Sequence, residues 1–322
     1  DEDLGRATKG AAQAMLLKTY LYMGGHIDPA YFAKAYEWGQ KFRTEQYETG
    51  EYSLNPNYAD NFTMAGENGP ESVFEIQYMA EPTSDYGEGF GFTRGTFTTI
   101  LTRCRATALG AGWGFNHPTQ NLYDEFEAGD PRRDATIIAP DPDQLDNPEQ
   151  EIYLGSSYYN RKSAYIEDGI YVTLDHATRS PVNYRLIRAS DVLLMYAEAA
   201  LESGKNVAGA KWALEEVRKR ARGGNNEILP AFPGYNGYSD NTDDLRKAIR
   251  HERRVELAME GHRWFDLCRW GIAYEVMDKD NGSYGKNETP EARAEMASFI
   301  KGKHELFPIP SQEINLNPMD QN

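Results

Sequence analysis

The amino-acid sequence predicts a mainly α-helical protein in which helical hairpins form a scaffold that a large irregular insertion interrupts. Three observations predict this class: a helical hairpin before residue 51, a second one after residue 183, and an intervening stretch rich in Gly, Pro, Asn and Tyr with little periodicity. We therefore expect one domain, with scaffold in residues 1–50 and 184–275, a variable loop-rich region in 51–183, and a C-terminal extension in 276–322.

The first hairpin opens with a helix predicted from about Gly5 to Met23, in which small and apolar residues recur at helical spacing. Gly24-Gly25 is expected to end this helix. Asp28 followed by Pro29 is typical of the start of the next helix. The return helix carries an apolar stripe formed by Tyr31, Ala35, Trp38 and Phe42.

The second hairpin follows the same plan. Ser190 is predicted to cap a helix that ends at Gly204, and Asn206 to cap a return helix that closes at Gly223-Gly224. Helix pairs of this kind resemble tetratricopeptide-type repeats, although the two copies share little sequence. Repeat hairpins bury their faces by stacking on neighbours, so the two pairs should lie next to each other in the fold.

A long helix is predicted from about Asp243 to Tyr274. Glu252 and Glu256 fall on its apolar face, where an unpaired carboxylate is costly. We interpret these glutamates as structural ion pairs with Arg253, Arg254 or arginines from another helix. The alternative interpretation is an acid/base pair, since perturbed carboxylates also occur at active sites.

The region 51–183 shows only short strand-like patterns, VFEIQY at 73–78, EIYLG at 151–155 and IYVTL at 170–174. A long stretch with so little regular structure inside a compact chain is usually functional. Scaffold helices that support an irregular ligand-binding region are therefore the expected organisation.

Composition excludes several classes of function. The 322 residues include 40% hydrophobic and 12% aromatic residues, enough for a packed core, and a net charge of −16 argues against nucleic-acid binding. No stretch approaches the ~20 apolar residues of a membrane-spanning helix. Cys104 and Cys268 are not part of a zinc motif, and the sequence does not decide whether they pair.

No cofactor or catalytic motif is present. The glycine-rich segments at 87–92 and 110–115 lack the third glycine of a dinucleotide loop, and no phosphate-binding loop or nucleophile elbow occurs. No cofactor is therefore predicted. Asp141, Asp143 and Asp146 are weak calcium candidates in an acidic loop that lacks the EF-hand spacing. A glycosidase, which needs only two carboxylates, stays open as an alternative.

Aromatic residues in glycine-rich loops are the candidate ligand-binding residues. Flat rings that loops expose can stack on the apolar faces of sugar rings. The alternative is that these side chains pin the loops to the scaffold. The candidates are Tyr78, Tyr86, Phe90, Phe92, Trp113, Tyr158, Tyr159, Tyr235 and Tyr238.

Several blocks of the sequence resemble the SusD/RagB family of outer-membrane lipoproteins. The segment IRHERRVELAMEGHRWFDLCRWG (249–271) is similar to that family's signature, and LFPIPSQEINLNPMDQN (306–322) to its closing segment. Three further blocks match the family pattern in the same order: GRATKGAAQAMLLKTYLYMG (5–24), GWGFNHPTQNLYDEFEAGDPRRDATI (112–137) and RLIRASDVLLMYAEAALESG (185–204). Together these blocks extend over the whole chain.

The resemblance implies a SusD-like superhelix of helical hairpins and a function in nutrient capture. Family members are lipid-anchored on the cell surface, bind glycans or in some cases peptides, and deliver them without chemistry to a SusC-type TonB-dependent transporter. In the family, GRATKGAA follows further helices and the lipid-bearing cysteine, so this chain is expected to lack its N-terminal part. Glycan capture is the leading hypothesis, with peptide capture and glycoside hydrolysis as alternatives.

Overall fold

The computed structural model describes residues 4–80, 94–148, 157–296 and 298–321. The helices in these ranges are α1 (Lys9–His26), α2 (Tyr31–Phe42), α3 (Thr98–Thr102), α4 (Gln120–Tyr123), α5 (Pro131–Thr136), α6 (Ala189–Glu202), α7 (Val207–Arg222), α8 (Thr242–Glu256), α9 (Arg263–Arg269), α10 (Ala273–Met277), α11 (Pro290–Glu295) and α12 (Ser311–Leu316). The strands are β1 (Ser72–Ile76), β2 (Ile137–Ile138), β3 (Tyr159–Asn160), β4 (Ile166–Glu167), β5 (Ile170–Tyr171) and β6 (Tyr184–Arg188). The predicted class, mainly helical with few short strands, is confirmed.

The two predicted hairpins, α1–α2 and α6–α7, stack side by side through the contact of α2 with α6. Helix α6 lies at the centre of the scaffold and is buried from Ala189 to Leu201, so it is surrounded on all sides. Asn206 caps α7 as predicted, because its side chain accepts from the Gly209 amide, and Gly223 ends α7 in a left-handed conformation.

Several helix boundaries differ from the prediction; α1 begins at Lys9 and not at Gly5, and α2 begins at Tyr31 with Ala30, not Asp28, in the capping position. Helix α1 runs through Gly24-Gly25 and ends at His26. Gly24 instead allows α2 to pack closely, because a Cβ there would lie 2.6 Å from Cδ1 of Phe32. Helix α6 begins at Ala189, with Arg188 in the capping position, because the preceding residues pair as a strand. Gly24 therefore serves the close approach of two helices and does not end α1.

The predicted long helix at 243–274 is wrong, because the chain leaves the helical conformation after Glu256. Helix α8 is followed by a turn in which Met259 (φ 66°) and Gly261 (φ 83°) are left-handed, and helix α9 begins only at Arg263. The turn directs the carboxylate of Glu260 to Arg188 and Lys162, with closest N–O distances of 2.8 and 2.6 Å. Tertiary pairing has overridden local helix propensity here.

The insertion has short sheets and a small core of its own. Strand β1, predicted within VFEIQY, pairs antiparallel with β6, and β2 with β3 and β4 with β5 form two further antiparallel pairs. The predicted strand at 170–174 is limited to Ile170–Tyr171, and the one at 151–155 lies outside the described residues. A cluster with Cys104, Leu109 and Tyr159 at its centre stabilises this region.

Candidate functional site

An open groove of about 660 Å³ lies between the loop that follows α3 and the β4–β5 hairpin with the residues after it. Trp113 and Leu109 line it from the loop, and Ile170 and Tyr171 from the hairpin. The volume is in the range of small-molecule binding sites. The groove lies in the loop-rich region where the sequence predicted the ligand site.

The loop that carries Trp113 is held by backbone hydrogen bonds to α3 and the residues after it. The amides of Gly112, Trp113 and Gly114 donate to the carbonyls of Cys104, Ile100 and Arg103 at 2.6, 2.8 and 2.9 Å. A loop fixed through consecutive amides loses little further conformational entropy when a ligand binds.

Two glycines allow the loop to approach its supports closely. A Cβ at Gly112 would lie 2.3 Å from Cβ of Arg103, a distance that no side chain tolerates. Gly110 has φ +95°, and a Cβ there would lie 2.9 Å from Cδ1 of Tyr171. The glycine pattern that fails as a dinucleotide loop therefore serves close packing around Trp113.

Arg103 connects the Trp113 loop with the β4–β5 hairpin through hydrogen bonds of its side chain. Its guanidinium is buried and donates to the carbonyls of Ala164, Tyr165 and Val172 at 2.5, 2.8 and 2.8 Å. Burial away from carboxylates lowers its pKa to about 10, which still leaves it cationic at neutral pH. The β4–β5 hairpin is thereby fixed relative to the Trp113 loop.

Trp113 combines exposure with a fixed position. Its side chain is 45% exposed, while Phe97 packs edge-on against the indole at a centroid distance of 4.9 Å and Arg105 donates to its carbonyl at 2.9 Å. Ile170, 71% exposed, adds apolar surface, and Gln144 brings an amide to the groove. An exposed ring beside apolar and amide groups can stack on a sugar ring and bond its hydroxyls.

The other predicted aromatics do not gather at this groove. Tyr159 and Tyr235 are buried. The Tyr159 ring packs against the His117 ring, and the Arg218 guanidinium carbon lies 3.6 Å from the centroid of the Tyr235 ring. Tyr238 packs edge-on against Tyr235 at 5.1 Å. Tyr159 and Tyr235 therefore serve packing, because protein covers their rings, while Tyr238 is half-buried away from the groove.

Two further candidates are half-buried elsewhere. Tyr158 stacks on Tyr123 with ring centroids 4.5 Å apart, and its hydroxyl donates to Gln120 at 3.0 Å. The amide of Tyr78 donates to the side chain of Asn183 at 2.8 Å, at the end of the β1–β6 pair. Tyr86, Phe90 and Phe92 lie outside the described residues.

Glu252 and Glu256 lie in a fully buried ion-pair network. Glu252 accepts from Arg132 at 2.5 Å and from Arg218 at 2.9 Å. Glu256 accepts from Arg132 and Arg188, each at 3.0 Å, and from Arg220 at 2.5 Å. Burial alone would raise the pKa of Glu256, but the three guanidiniums outweigh it and hold the pKa well below its usual range.

The arginines that follow Glu252 in sequence serve other carboxylates. Arg253 pairs with Asp191 at 2.9 Å and with Asp266 at 3.0 Å, in a second buried cluster between α6 and α9. Arg254 pairs with Glu125 at 2.5 Å. Adjacent helix residues point to different faces, so Glu252 and Glu256 take partners that are distant in the chain.

The acidic loop has local roles. Asp141 caps a short 3₁₀ turn at Pro142–Gln144, and the Asp146 carboxylate accepts from the Thr107 amide at 2.8 Å. Within the ranges that the structure describes, no three His, Cys, Asp or Glu side chains are grouped as a metal site. Cys104 is buried and Cys268 half-buried, and the two are not joined in a disulfide. None of the helices in these ranges has the length and apolar composition of a membrane span.

Comparison with known proteins decides the family. The SusD family model matches residues 70–322, most of the chain. The chain belongs to the SusD family. The predicted family resemblance is therefore confirmed, and the helical hairpins of this chain are those of a SusD-family scaffold.

Curated SusD-family relatives share about a quarter of their residues with this chain. SusD-like protein P2 of Formosa agariphila is 27% identical, covering 100% of this chain and 61% of its own length. A SusD-like protein of Bacteroides ovatus is 24% identical, covering 99% of this chain and 58% of its own length. The chain thus spans about three fifths of the length of these relatives.

Solved structures show the same fold. A laminarin-binding SusD-like protein has a TM-score of 0.72 at 28% identity, covering 100% of this chain and 64% of that one. Surface glycan-binding protein A from Bacteroides fluxus has a TM-score of 0.77 at 24% identity, covering 99% of this chain and 63% of that one. At 24% identity, the similarity to the Bacteroides fluxus protein shows a shared fold only.

The sequence indicated Trp113 but not the residues that build the groove around it. Tyr171 and Ile170 were interpreted as part of an ordinary strand, and Arg103 carried no signal because it bonds to backbone carbonyls far along the chain. The one available signal was the spacing of Gly110, Gly112 and Gly114, which marks close approach of the backbone to other groups.

Proposed function

We propose that this protein binds oligosaccharides in the Trp113 groove and delivers them, as a cell-surface lipoprotein, to a SusC-type TonB-dependent transporter. The observation that carries the proposal is an indole 45% exposed on a loop that backbone hydrogen bonds hold rigid, within a groove of about 660 Å³. A large aromatic in such a position is costly on a free surface and favourable under a ligand ring.

Family membership supports the ligand class. The SusD-like protein at 28% identity is named for laminarin binding, so a β-glucan is the first ligand to test. The groove of this chain is open at its surface and flanked by Gln144, which suits an extended chain of sugar rings more than a fully enclosed small molecule.

The carboxylate pair that the sequence offered for acid/base chemistry is unsuited to it. Glu252 and Glu256 are 0% exposed, and the arginines around them keep both ionised. A glycosidase needs one protonated and one ionised carboxylate at the substrate. We therefore propose a binding protein without catalysis, and this helix carries no hydrolase site.

Calorimetric titration of the full chain with laminarihexaose tests the ligand proposal. We expect saturable binding that W113A weakens about tenfold or more, since stacking on an exposed ring contributes about 1–2 kcal/mol. F265A is the matched control, because Phe265 is 49% exposed and lies outside the groove. Equal losses in both variants would contradict the assignment of the groove.

Two parallel measurements separate the alternatives. A panel of peptides titrated under the same conditions would favour peptide capture if peptides bind with W113A sensitivity and glycans do not. Release of new reducing ends during incubation with laminarihexaose would instead indicate a hydrolase. Co-purification of a TonB-dependent transporter with the membrane-extracted protein tests the delivery step, and its absence would overturn that part of the proposal.

A further inference from the structure

A second cavity of about 320 Å³ lies beyond the far end of the Trp113 loop. The loop supplies its wall through residues 116–119, and the other walls come from α8, α9, α10 and the turn between α8 and α9. Trp113 does not line it, and the two sites are therefore separate although one loop contributes to both. Its size suits a single sugar residue.

Arg263 is a cation without a carboxylate partner in this cavity. Among the residues that the structure describes, it forms no ion pair and donates no hydrogen bond; the Trp270 ring centroid lies 5.8 Å from its guanidinium, and the carboxylates of Glu125 and Asp266 act on it from beyond ion-pair distance. Most buried arginines of this protein are paired, as Arg254 is with Glu125 beside it. A partly buried guanidinium that makes no ion pair has all its N–H donors available for a ligand carboxylate.

The other polar groups of the cavity leave that anion position open. Asp266 lines the cavity, but its carboxylate accepts from Arg253 and Arg269. Burial and the neighbouring Arg254 lower the pKa of Arg263 to about 10, and the carboxylates of Glu125 and Asp266 offset this only in part.

The rest of the lining is aromatic and apolar. Trp264, which Phe299 contacts edge-on at 5.9 Å, and Tyr284, 38% exposed, provide ring surface next to Arg263. Leu257 and Val276 complete an apolar wall. Aromatic surface combined with one guanidinium matches a ligand that has an apolar ring face and a carboxylate.

A neighbouring polar cavity indicates which kind of carboxylate ligand fits. This cavity of about 230 Å³ shares Asn116, Met259 and Gly261 with the first, and hydroxyl and amide side chains such as Thr102 and Asn160 line it. A polyhydroxylated chain that extends from the Arg263 cavity would meet matching donors and acceptors there. This favours an acidic sugar over a peptide C-terminus.

We propose that the Arg263 cavity binds a uronic acid residue of an oligosaccharide, with the carboxylate on Arg263 and the sugar ring against Trp264 and Tyr284. The proposal rests on the proposed glycan-binding function and adds to it a ligand class and a second subsite. The Trp113 groove and the Arg263 cavity would together select glycans that contain both neutral and acidic residues.

Matched probes test the charge directly, because α-1,4-linked trigalacturonate and α-1,4-linked galactotriose differ only in their C6 groups. We expect the full chain to bind trigalacturonate at least about tenfold more tightly in calorimetry, since a charge-assisted hydrogen bond contributes that much. R263Q should abolish this preference and R263K retain part of it. R250Q is the matched control, because Arg250 also contacts the Trp270 ring, at 4.8 Å, but does not line the cavity.

Equal affinity for the two probes, or an unchanged preference in R263Q, would overturn the proposal. If R263Q does not fold, Y284A decides, because this half-exposed side chain lines the same cavity: a threefold or greater loss of trigalacturonate affinity supports the proposal, and no loss refutes it. Laminarihexaose binding and its W113A sensitivity are measured on the same samples. Failure of the groove and failure of the cavity are therefore separate results.

Discussion

The buried network around Glu256 and the groove around Trp113 are built in opposite ways. In the network, charged side chains are removed from water and each finds partners, so Glu256 alone accepts from Arg132, Arg188 and Arg220. In the groove, a large apolar ring stays exposed, and its loop is fixed mainly by backbone hydrogen bonds, with Phe97 packed edge-on against the indole. The ion pairs of the first region stabilise the fold, whereas the second region leaves apolar surface exposed for a ligand.

The comparison explains what the family signature encodes. Its ERR-x-EL stretch contributes Glu252, Arg253, Arg254 and Glu256, and all four take part in ion pairs inside the scaffold. Of the groove residues, Trp113 lies in the block 112–137 that resembles the family, whereas Ile170 and Tyr171 belong to none of these blocks. A signature of this kind identifies the scaffold, and the ligand has to be inferred from the geometry of the insertion.

The largest effect is expected when one carboxylate of the network is neutralised. E256Q keeps the shape of the side chain but leaves three guanidiniums without a shared counter-charge, and should lower the free energy of unfolding by about 3–5 kcal/mol. Urea denaturation followed by circular dichroism measures the change. E275Q is the control, because Glu275 pairs with Lys301 at the exposed surface, where solvent screens the pair and its loss should leave the denaturation midpoint nearly unchanged.

A smaller, pH-dependent effect is expected from His251 at the edge of the network. Burial would lower its pKa, but hydrogen bonds to Glu125 at 2.8 Å and Glu127 at 3.3 Å outweigh it and raise the pKa to about 9. Because the folded-state pKa lies above the ordinary value of 6.5, the imidazolium stabilises the fold fully below about pH 6.5. That stabilisation is lost as the pH rises through about 9.

Denaturation of the wild type and H251Q at pH 6, 7.5 and 9.5 measures this contribution. The wild type should lose up to about 3 kcal/mol more than H251Q over this range. Lys162 has its pKa lowered to about 8, chiefly by burial, and titrates with the opposite sign. It is present in both proteins, so the difference isolates His251, and parallel pH profiles would contradict the prediction.

The sequence predicted the helical hairpins because residue spacing and capping residues are properties of neighbouring residues in the chain. The hairpins followed from small-residue spacing, and Asn206 and Gly223 marked real helix ends. The break at Met259–Gly261 could not be predicted, because it depends on where Glu260 meets Lys162 and Arg188. Those partners come from distant parts of the chain, and one sequence does not show which residues meet.

The candidate site was predicted less completely for the same reason. Trp113 could be found because an aromatic between glycines stands out, yet Tyr159 had an equally suggestive position and is buried. Whether a loop aromatic faces water depends on long-range packing, such as the contact of Tyr159 with His117. The sequence does not distinguish Arg263, which forms no ion pair among the described residues, from Arg254, which pairs with Glu125.

The groove should respond to substitution in binding rather than in stability. W113A should change the free energy of unfolding by less than about 1 kcal/mol, because the ring is half-exposed, while laminarihexaose affinity falls about tenfold. Thermal unfolding and calorimetry on one preparation measure both. A stability loss comparable with that of E256Q would mean that Trp113 is a core residue, and the contrast between the two regions would fail.

The smallest effect is expected at the edge of the groove. Ile170 is 71% exposed, so I170A should leave the free energy of unfolding within about 0.5 kcal/mol. A bound sugar would cover part of this side chain, and its loss should weaken laminarihexaose binding about two- to threefold. The measurement defines the extent of the groove: a tenfold loss would place Ile170 beside Trp113 under the ligand, and no loss would confine the ligand to the loop side.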